Sequence, residues 1–102
     1  MKTTQRPSDT RLADVLDAAR HSQESSGLVY VPAMVRFMLL GGAYHATSAI
    51  AAIRSAAACG SLELRPESGL GRLSDADRSL CLTTTDYLTG GRIPLSWARL
   101  TA

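Results

Sequence analysis

Residues 46–65 read ATSAIAAIRSAAACGSLELR and place a helix, a stop signal and a strand in direct succession. Apolar residues recur at steps of three and four, at Ala46, Ile50, Ile53 and Ala57. This spacing predicts an amphipathic helix over residues 46–58 with those side chains on its buried face. Gly60 is typical of a helix end, and residues 61–65 alternate polar and apolar side chains as a half-buried strand does. We expect the other elements to pack around this unit.

The composition fits a single globular domain. The chain has 102 residues, 45% of them apolar and 20% charged, which is enough for a modest core without metal or disulfide crosslinks. Only 5% are aromatic, and many of the apolar residues are alanines. We therefore expect a thin core of closely packed helices, in which Trp97, Phe37 and the three tyrosines supply much of the volume.

The net charge of +2 is small, but its distribution is uneven. Residues 1–26 and 61–102 each balance to zero, whereas residues 27–60 contain Arg36 and Arg54 and no acid. A surface without carboxylates can approach phosphate without repulsion. The alternative interpretation is that this segment holds the most buried helices and therefore has few charges of either sign.

Cys59 and Cys81 are isolated, and no pair of histidines has the spacing of metal ligands. This pattern argues against a structural zinc site and favours reduced, partly buried thiols in a cytosolic protein. No apolar run has transmembrane length. We expect a cytoplasmic protein with no membrane association, no metal and no cofactor.

The first half of the chain predicts two further helices. Residues 1–8 are polar and predict a flexible tail, and a helix then begins at Ser8 or Asp9. Its apolar stripe is formed by Leu12, Val15, Leu16 and Ala19. The run Leu28–Val31 predicts a short strand. Pro32 is suited to the first turn of a second helix, which continues to Leu40.

The second half predicts shorter elements. Ser74 is placed to cap a single helical turn that includes Asp75 and Asp77. Residues 81–86 are rich in threonine and fit either a strand or a loop. Residues 93–100 predict a closing strand, with Leu95 and Trp97 on one face and Trp97 as a core residue.

Several of these features together resemble the winged helix-turn-helix domains. They are the strand Leu28–Val31 running into Pro32, the turn Gly41-Gly42, the helix centre Ile50–Ile53, Gly60 followed by Leu62-Glu63-Leu64, and the returning Leu95-Ser96-Trp97. The resemblance covers residues 9–100. It implies an α+β, mainly α fold, with three helices plus a small antiparallel sheet and wing in one domain over residues 9–102.

The resemblance also implies double-stranded DNA as the partner. In such domains the third helix, here residues 46–58, enters the major groove, and the wing, here residues 65–92, lies on the backbone. The candidate DNA-binding residues carried over by position are His45, Thr47, Ser48, Arg54, Ser55, Arg65, Arg72 and Arg92. Hydroxyl groups at a helix N-terminus bind phosphate or base edges, and arginine binds guanine with two hydrogen bonds.

Each of these residues also has an ordinary structural interpretation. Arg54 fits a solvated helix residue, and Tyr44 and His45 fit a helix cap, for which Thr47 is an alternative. The three candidate arginines of the wing, Arg65, Arg72 and Arg92, fit pairs with nearby acids. The acids available are Glu63, Glu67 and Asp86.

The sequence therefore predicts a transcriptional regulator and not an enzyme. We expect a homodimer, with the first helix or the stretch Leu80–Tyr87 as the dimer surface, because one such module makes few phosphate contacts. The alternative is a winged-helix protein-interaction module, an adaptor or small inhibitor. It would use the alanine-rich helix face and the long wing to bind a protein partner, and it would not bind DNA.

Overall fold

The computed structural model describes residues 9–66 and 73–101 of the chain. Within them the fold is α+β, as predicted, with four helices and five strands. In chain order these are α1 (Asp9–Ser22), β1 (Leu28–Tyr30), α2 (Val31–Leu40), α3 (Ala46–Ala58), β2 (Leu62–Arg65), α4 (Asp75–Arg78), β3 (Leu82–Thr85), β4 (Arg92–Leu95) and β5 (Trp97–Leu100). The predicted tail, residues 1–8, and the candidate contact Arg72 lie outside the described residues.

The breakers act where the sequence predicts. Pro32 lies in the first turn of α2, and residues 41–45 join α2 to α3. Gly60 follows α3 with φ of 84°, a conformation that a side chain disfavours. The single-turn helix α4 is also confirmed, because the Ser74 hydroxyl accepts a hydrogen bond from the backbone N–H of Asp77.

Strand β5 lies between β1 and β2 in an antiparallel sheet of order β1-β5-β2. Val29, Ala98 and Leu64 occupy one row across the three strands, and on this face Val29 and Ala98 are fully buried against the helices. Alternation along a strand puts Trp97 on the opposite face. Trp97 is half-buried there and packs beside Tyr30, with ring centroids 5.1 Å apart. The prediction that Trp97 fills the core is therefore wrong.

A second, two-stranded sheet is formed by β3 and β4. It settles the alternatives left open for residues 81–86 in favour of a strand. The predicted single strand over 93–100 is wrong, because its two halves pair with different partners and meet at the buried Ser96. Leu95 and Trp97 consequently belong to two sheets and not to one face of one strand.

The core is built from small and medium-sized side chains. The largest fully buried ones are Met34, Ile53 and several valines, and six alanines are also buried. Phe37 and Tyr44 only pack against its edge. The expectation of a thin core is confirmed, whereas the expectation that aromatic residues supply much of its volume is wrong.

Helix α3 is rotated relative to the predicted face. Its buried side chains are Ala49, Ala52, Ile53 and Ala56. Of the predicted set only Ile53 is fully buried, and Ala46, Ile50 and Ala57 are half-buried at the flank. The reason is the close packing of α1 and α2 against α3, which the small side chains of Ala49, Ala52 and Ala56 permit around Ile53.

Candidate nucleic-acid interface

The N-terminus of α3 is organised by His45 and Ser48. His45 is the N-cap residue, and its backbone N–H donates a 2.9 Å hydrogen bond to the Ser48 hydroxyl. That hydroxyl in turn donates to the carbonyl of His45 at 3.1 Å. The interpretation of His45 as the cap is confirmed, and the alternative cap Thr47 is wrong because Thr47 lies inside the helix. Ser48, a candidate DNA contact, is already engaged in this local bonding.

The solvent-facing side of α3 is a stripe of four exposed residues, which we call the α3 stripe. It consists of Thr47, Ala51, Arg54 and Ala58. Arg54 makes no hydrogen bond or ion pair with any described residue. Neither α2 nor α3 contains a carboxylate. The candidate Ser55 is half-buried beside the stripe. The α3 stripe therefore carries short side chains and a single positive charge, that of Arg54.

The two candidate wing arginines that the structure describes, Arg65 and Arg92, both have partners. Arg65 donates to Glu63 at 3.0 Å, an exposed pair of the kind that contributes little to stability. The structural interpretation of Arg65 as paired with Glu63 is therefore confirmed. Arg92 donates to the hydroxyl of Thr83 at 2.7 Å and not to Asp86.

The candidate residues do not form one cluster. Thr47 and Arg54 lie on the exposed side of α3, and the exposed His45 precedes the helix as its N-cap residue. Arg65 alternates with the inward-facing Leu64 and therefore lies on the sheet face that is turned away from the helices. Arg92 belongs to the β3–β4 hairpin. Within the described chain, the only hydrogen bonds between two candidates are the local ones that join His45 and Ser48.

A three-residue contact that the sequence analysis missed attaches α4 to the rest of the fold. The carboxylate of Asp77 accepts a 2.7 Å hydrogen bond from the Tyr30 hydroxyl and a second bond from Arg36. The bond from Tyr30, followed by that from Arg36, lowers the pKa of Asp77. No local sequence pattern predicts this contact, because Asp77 is more than forty residues away from Tyr30 and Arg36 in the chain.

A second missed contact joins α1 to the turn before α3. The Tyr44 hydroxyl donates to Asp14 at 2.6 Å. Burial, together with the hydrogen bond to this carboxylate and its negative charge, raises the pKa of Tyr44 to about 12. Tyr44 therefore fixes the orientation of the turn that leads into α3, in addition to lying beside the cap at His45.

The described residues contain neither a metal-binding cluster nor a membrane-spanning helix. No three histidine, cysteine, aspartate or glutamate side chains converge in a way that would hold a metal ion. No helix in the described ranges is both long enough and apolar enough to cross a membrane. Neither cysteine forms a disulfide: Cys59 is exposed, and Cys81 is buried with its thiol donating to the carbonyl of Asp77 at 3.3 Å.

Comparison with known proteins adds no relative to this picture. The chain matches no protein-family model, no curated protein and no solved structure at a significant level.

Proposed function

We propose that this chain is a small cytoplasmic DNA-binding protein of winged helix-turn-helix type that regulates transcription without a cofactor and without enzymatic activity. In this proposal α3 enters the major groove and the segment 65–92 forms the wing on the backbone. The order of elements supports it: α2 and α3 are joined by the turn 41–45, and the sheet order is β1-β5-β2. The sheet packs one of its faces against the helices. Helix α3 buries one side in this core, and its opposite side is exposed to solvent.

The observation that carries the proposal is the α3 stripe. A recognition helix must approach base edges closely, and the stripe offers only short side chains around one long cation. Arg54 is suited to a backbone phosphate on random duplex DNA and to guanine at a specific site. The methyl groups of Thr47 and Ala51 are suited to the methyl of thymine. The absence of carboxylates from α2 and α3 removes the repulsion that a phosphate backbone would otherwise meet.

The wing has a supporting role in this proposal. Arg92 lies on the exposed hairpin, and its bond to Thr83 is a neutral-acceptor contact that a phosphate oxygen can replace. Arg65 must leave Glu63 to do the same, which costs little at an exposed position. Few cations are involved, so one copy binds weakly and a dimer on a two-fold site would bind more tightly.

The test is a fluorescence anisotropy titration of a labelled random duplex at low salt with the wild type and two charge-reversal variants. Arg54→Glu reverses the charge on the α3 stripe. Arg20→Glu makes the same change at the exposed end of α1 and serves as the matched control. The proposal expects Arg54→Glu to weaken binding at least tenfold and Arg20→Glu to weaken it less than threefold. Equal affinities for the three proteins would contradict it.

The second candidate function, binding to a protein partner, is favoured by a different observation. Tyr87 and Leu88 on the hairpin are 97% and 96% exposed, and Ala51 and Ala58 form a smooth surface on α3. A protein interface uses such groups, whereas duplex DNA gains little from them. This function predicts that Ala58→Trp abolishes binding to the protein partner while Arg54→Glu leaves that binding intact. The opposite pattern would remove this candidate.

A further inference from the structure

Three large hydrophobic side chains are exposed in the described parts of the chain. Leu40 is 83% exposed at the end of α2, and Tyr87 and Leu88 are almost fully exposed. Exposed apolar groups that lie together on a surface mark an interaction site more often than chance. The positions of these three residues define two surfaces, and both surfaces belong to the same chain.

The first surface is the loop of the β3–β4 hairpin, residues 86–91, which we call the wing tip. Asp86 holds it in shape: its carboxylate accepts from the backbone N–H of Leu88 at 2.9 Å and from the hydroxyl of Thr89 at 3.1 Å. Backbone bonds between Asp86 and Gly91 and between Gly90 and Asp86 close the loop. Tyr87 and Leu88 are therefore presented to solvent by an ordered loop, which lowers the entropy cost of docking them.

The second surface is a cavity between α1 and the end of α2, which we call the α1–α2 cavity. Its volume is about 360 Å³. Apolar groups of Phe37, Met38 and Leu40 line it, together with Asp14 and Asp17. The exposed Leu40 thus lies on its wall. No described residue fills this space.

We propose that the wing tip of one copy of this chain docks into the α1–α2 cavity of a second copy, and that the second copy returns the same contact, which makes a two-fold dimer. This single contact covers all three exposed hydrophobic side chains. With a two-fold axis between the copies the contact is reciprocal, so both wing tips and both cavities are covered, whereas a head-to-tail arrangement would leave one of each open.

The chemistry of the tyrosines supports Asp17 as the polar partner within this contact. Two of the three tyrosines already donate their hydroxyl to an aspartate, as the bonds from Tyr30 to Asp77 and from Tyr44 to Asp14 illustrate. Tyr87 is the third. Asp17 lies at the cavity and makes no hydrogen bond or ion pair with any described residue. A hydroxyl from Tyr87 of the second copy would complete the same pairing.

The area involved reaches the lower limit for a specific dimer. An aromatic side chain buries roughly 150–250 Å² on its own. Each contact buries Tyr87, Leu88 and the part of the cavity wall that they cover. Two such contacts together bury on the order of 1,200 Å². The proposal draws on both predicted dimer surfaces, the first helix and the stretch Leu80–Tyr87. Within that stretch Leu80 is half-buried and Cys81 and Leu82 are buried, so its distal part is the accessible one.

The experiment measures molar mass in solution by light scattering for the wild type, a wing-tip variant and a cavity variant. The wing-tip variant is Tyr87→Ser with Leu88→Ser, and the cavity variant is Leu40→Ser with Asp17→Asn. All four side chains are exposed, so the variants should fold, and circular dichroism verifies this. We expect a wild-type mass near twice the 10.8 kDa of one chain at high micromolar concentration, and a mass near 10.8 kDa for each variant alone.

A mixture of the two variants gives the sharper result. A heterodimer of them retains one intact contact, because the wing tip of the cavity variant meets the cavity of the wing-tip variant. We therefore expect the mixture to show a mass above that of either variant alone. A monomeric wild type, a dimer that survives both sets of substitutions, or a mixture that stays monomeric would each overturn the proposal.

The dimer proposal does not depend on DNA binding, and the same samples separate the two. If the variants are monomeric yet still bind duplex DNA through Arg54, the proposed function stands with a weaker affinity. If the wild type is the predicted dimer and binds no DNA, the dimer stands and the proposed function fails.

Discussion

The Tyr30 hydroxyl donates a 2.7 Å hydrogen bond to Asp77, and this bond joins strand β1 to helix α4. Arg36 of α2 donates to the other oxygen of the same carboxylate. Helix α4 has only four residues and buries none of them, so neither helix propensity nor packing explains its position. The Asp77 carboxylate ties α4 to β1 and α2, and the buried Leu82 that follows anchors the start of the β3–β4 hairpin in the core.

Asp77→Asn should therefore lower the free energy of unfolding by about 1–2 kcal/mol at neutral pH, because two bonds to a charged acceptor weaken. The pKa of Asp77 is lowered on folding, so its contribution is present above the unfolded pKa near 3.9 and is lost as pH falls through the folded value. Urea unfolding at pH 7 and at pH 2–3 should show the difference between wild type and variant shrinking in acid. Asp75→Asn, which removes the same charge from α4 without breaking this contact, should show a smaller loss.

Tyr44→Phe tests the contact between α1 and the turn before α3. The pKa of Tyr44 is raised to about 12, so its contribution to stability is fully present below the unfolded pKa near 10 and is lost as pH rises toward 12. We expect the variant to be about 1 kcal/mol less stable at pH 8 and to show a flatter decline between pH 10 and 12. An equal alkaline decline in wild type and Tyr44→Phe would refute the assignment.

The orientation of α3 is tested by two matched substitutions. Ala56 is 1% exposed and Ala58, half a turn away, is exposed. Ala56→Leu should destabilise the fold by about 1–3 kcal/mol because the space between the helices is filled. Ala58→Leu should change stability by less than about 0.5 kcal/mol. Thermal or urea unfolding of both variants measures this, and a reversed order would mean that α3 is rotated differently.

Gly60→Ala addresses the break between α3 and β2. The φ of Gly60 is 84°, so an alanine there is strained and should cost about 1–2 kcal/mol. Gly41 has φ of −77°, and Gly41→Ala should be neutral or slightly stabilising. Urea midpoints of the two variants provide the comparison, and equal effects would contradict the left-handed conformation at Gly60.

The sequence predicts the elements of this fold better than their orientations. Pro32, Gly60 and Ser74 act through local chemistry, and each marks an element boundary where it was expected. Which side of α3 is buried cannot be predicted in this way. Alanines lie on most sides of the helix, so several apolar stripes are equally plausible. Only tertiary packing against α1 and α2 selects the one that is buried.

The end of the chain shows a second limit of prediction. Residues 93–100 have a continuous strand pattern, yet Ser96 divides them between two sheets. The position of Trp97 follows from that division, because Ala98 takes the inward place in the central strand. Long-range pairing decides this outcome, and no local pattern encodes it.

For the candidate interface, the helical period predicts that Thr47 and Arg54 are exposed. It does not predict that Ser48 bonds to His45 or that Arg65 pairs with Glu63. Long-range partners such as Asp77 for Arg36 depend on the assembled fold.

The most direct test of the central claim, that α3 contacts DNA, is the salt dependence of duplex binding by the wild type and by Arg54→Gln. Each phosphate contact contributes about −0.9 to the slope of log K against log salt concentration. We predict that the wild type binds random duplex DNA at low salt and that its affinity falls as salt rises. Arg54→Gln should make the slope shallower by the amount that one phosphate contact per copy contributes. No binding at low salt, or a slope unchanged by Arg54→Gln, would contradict it.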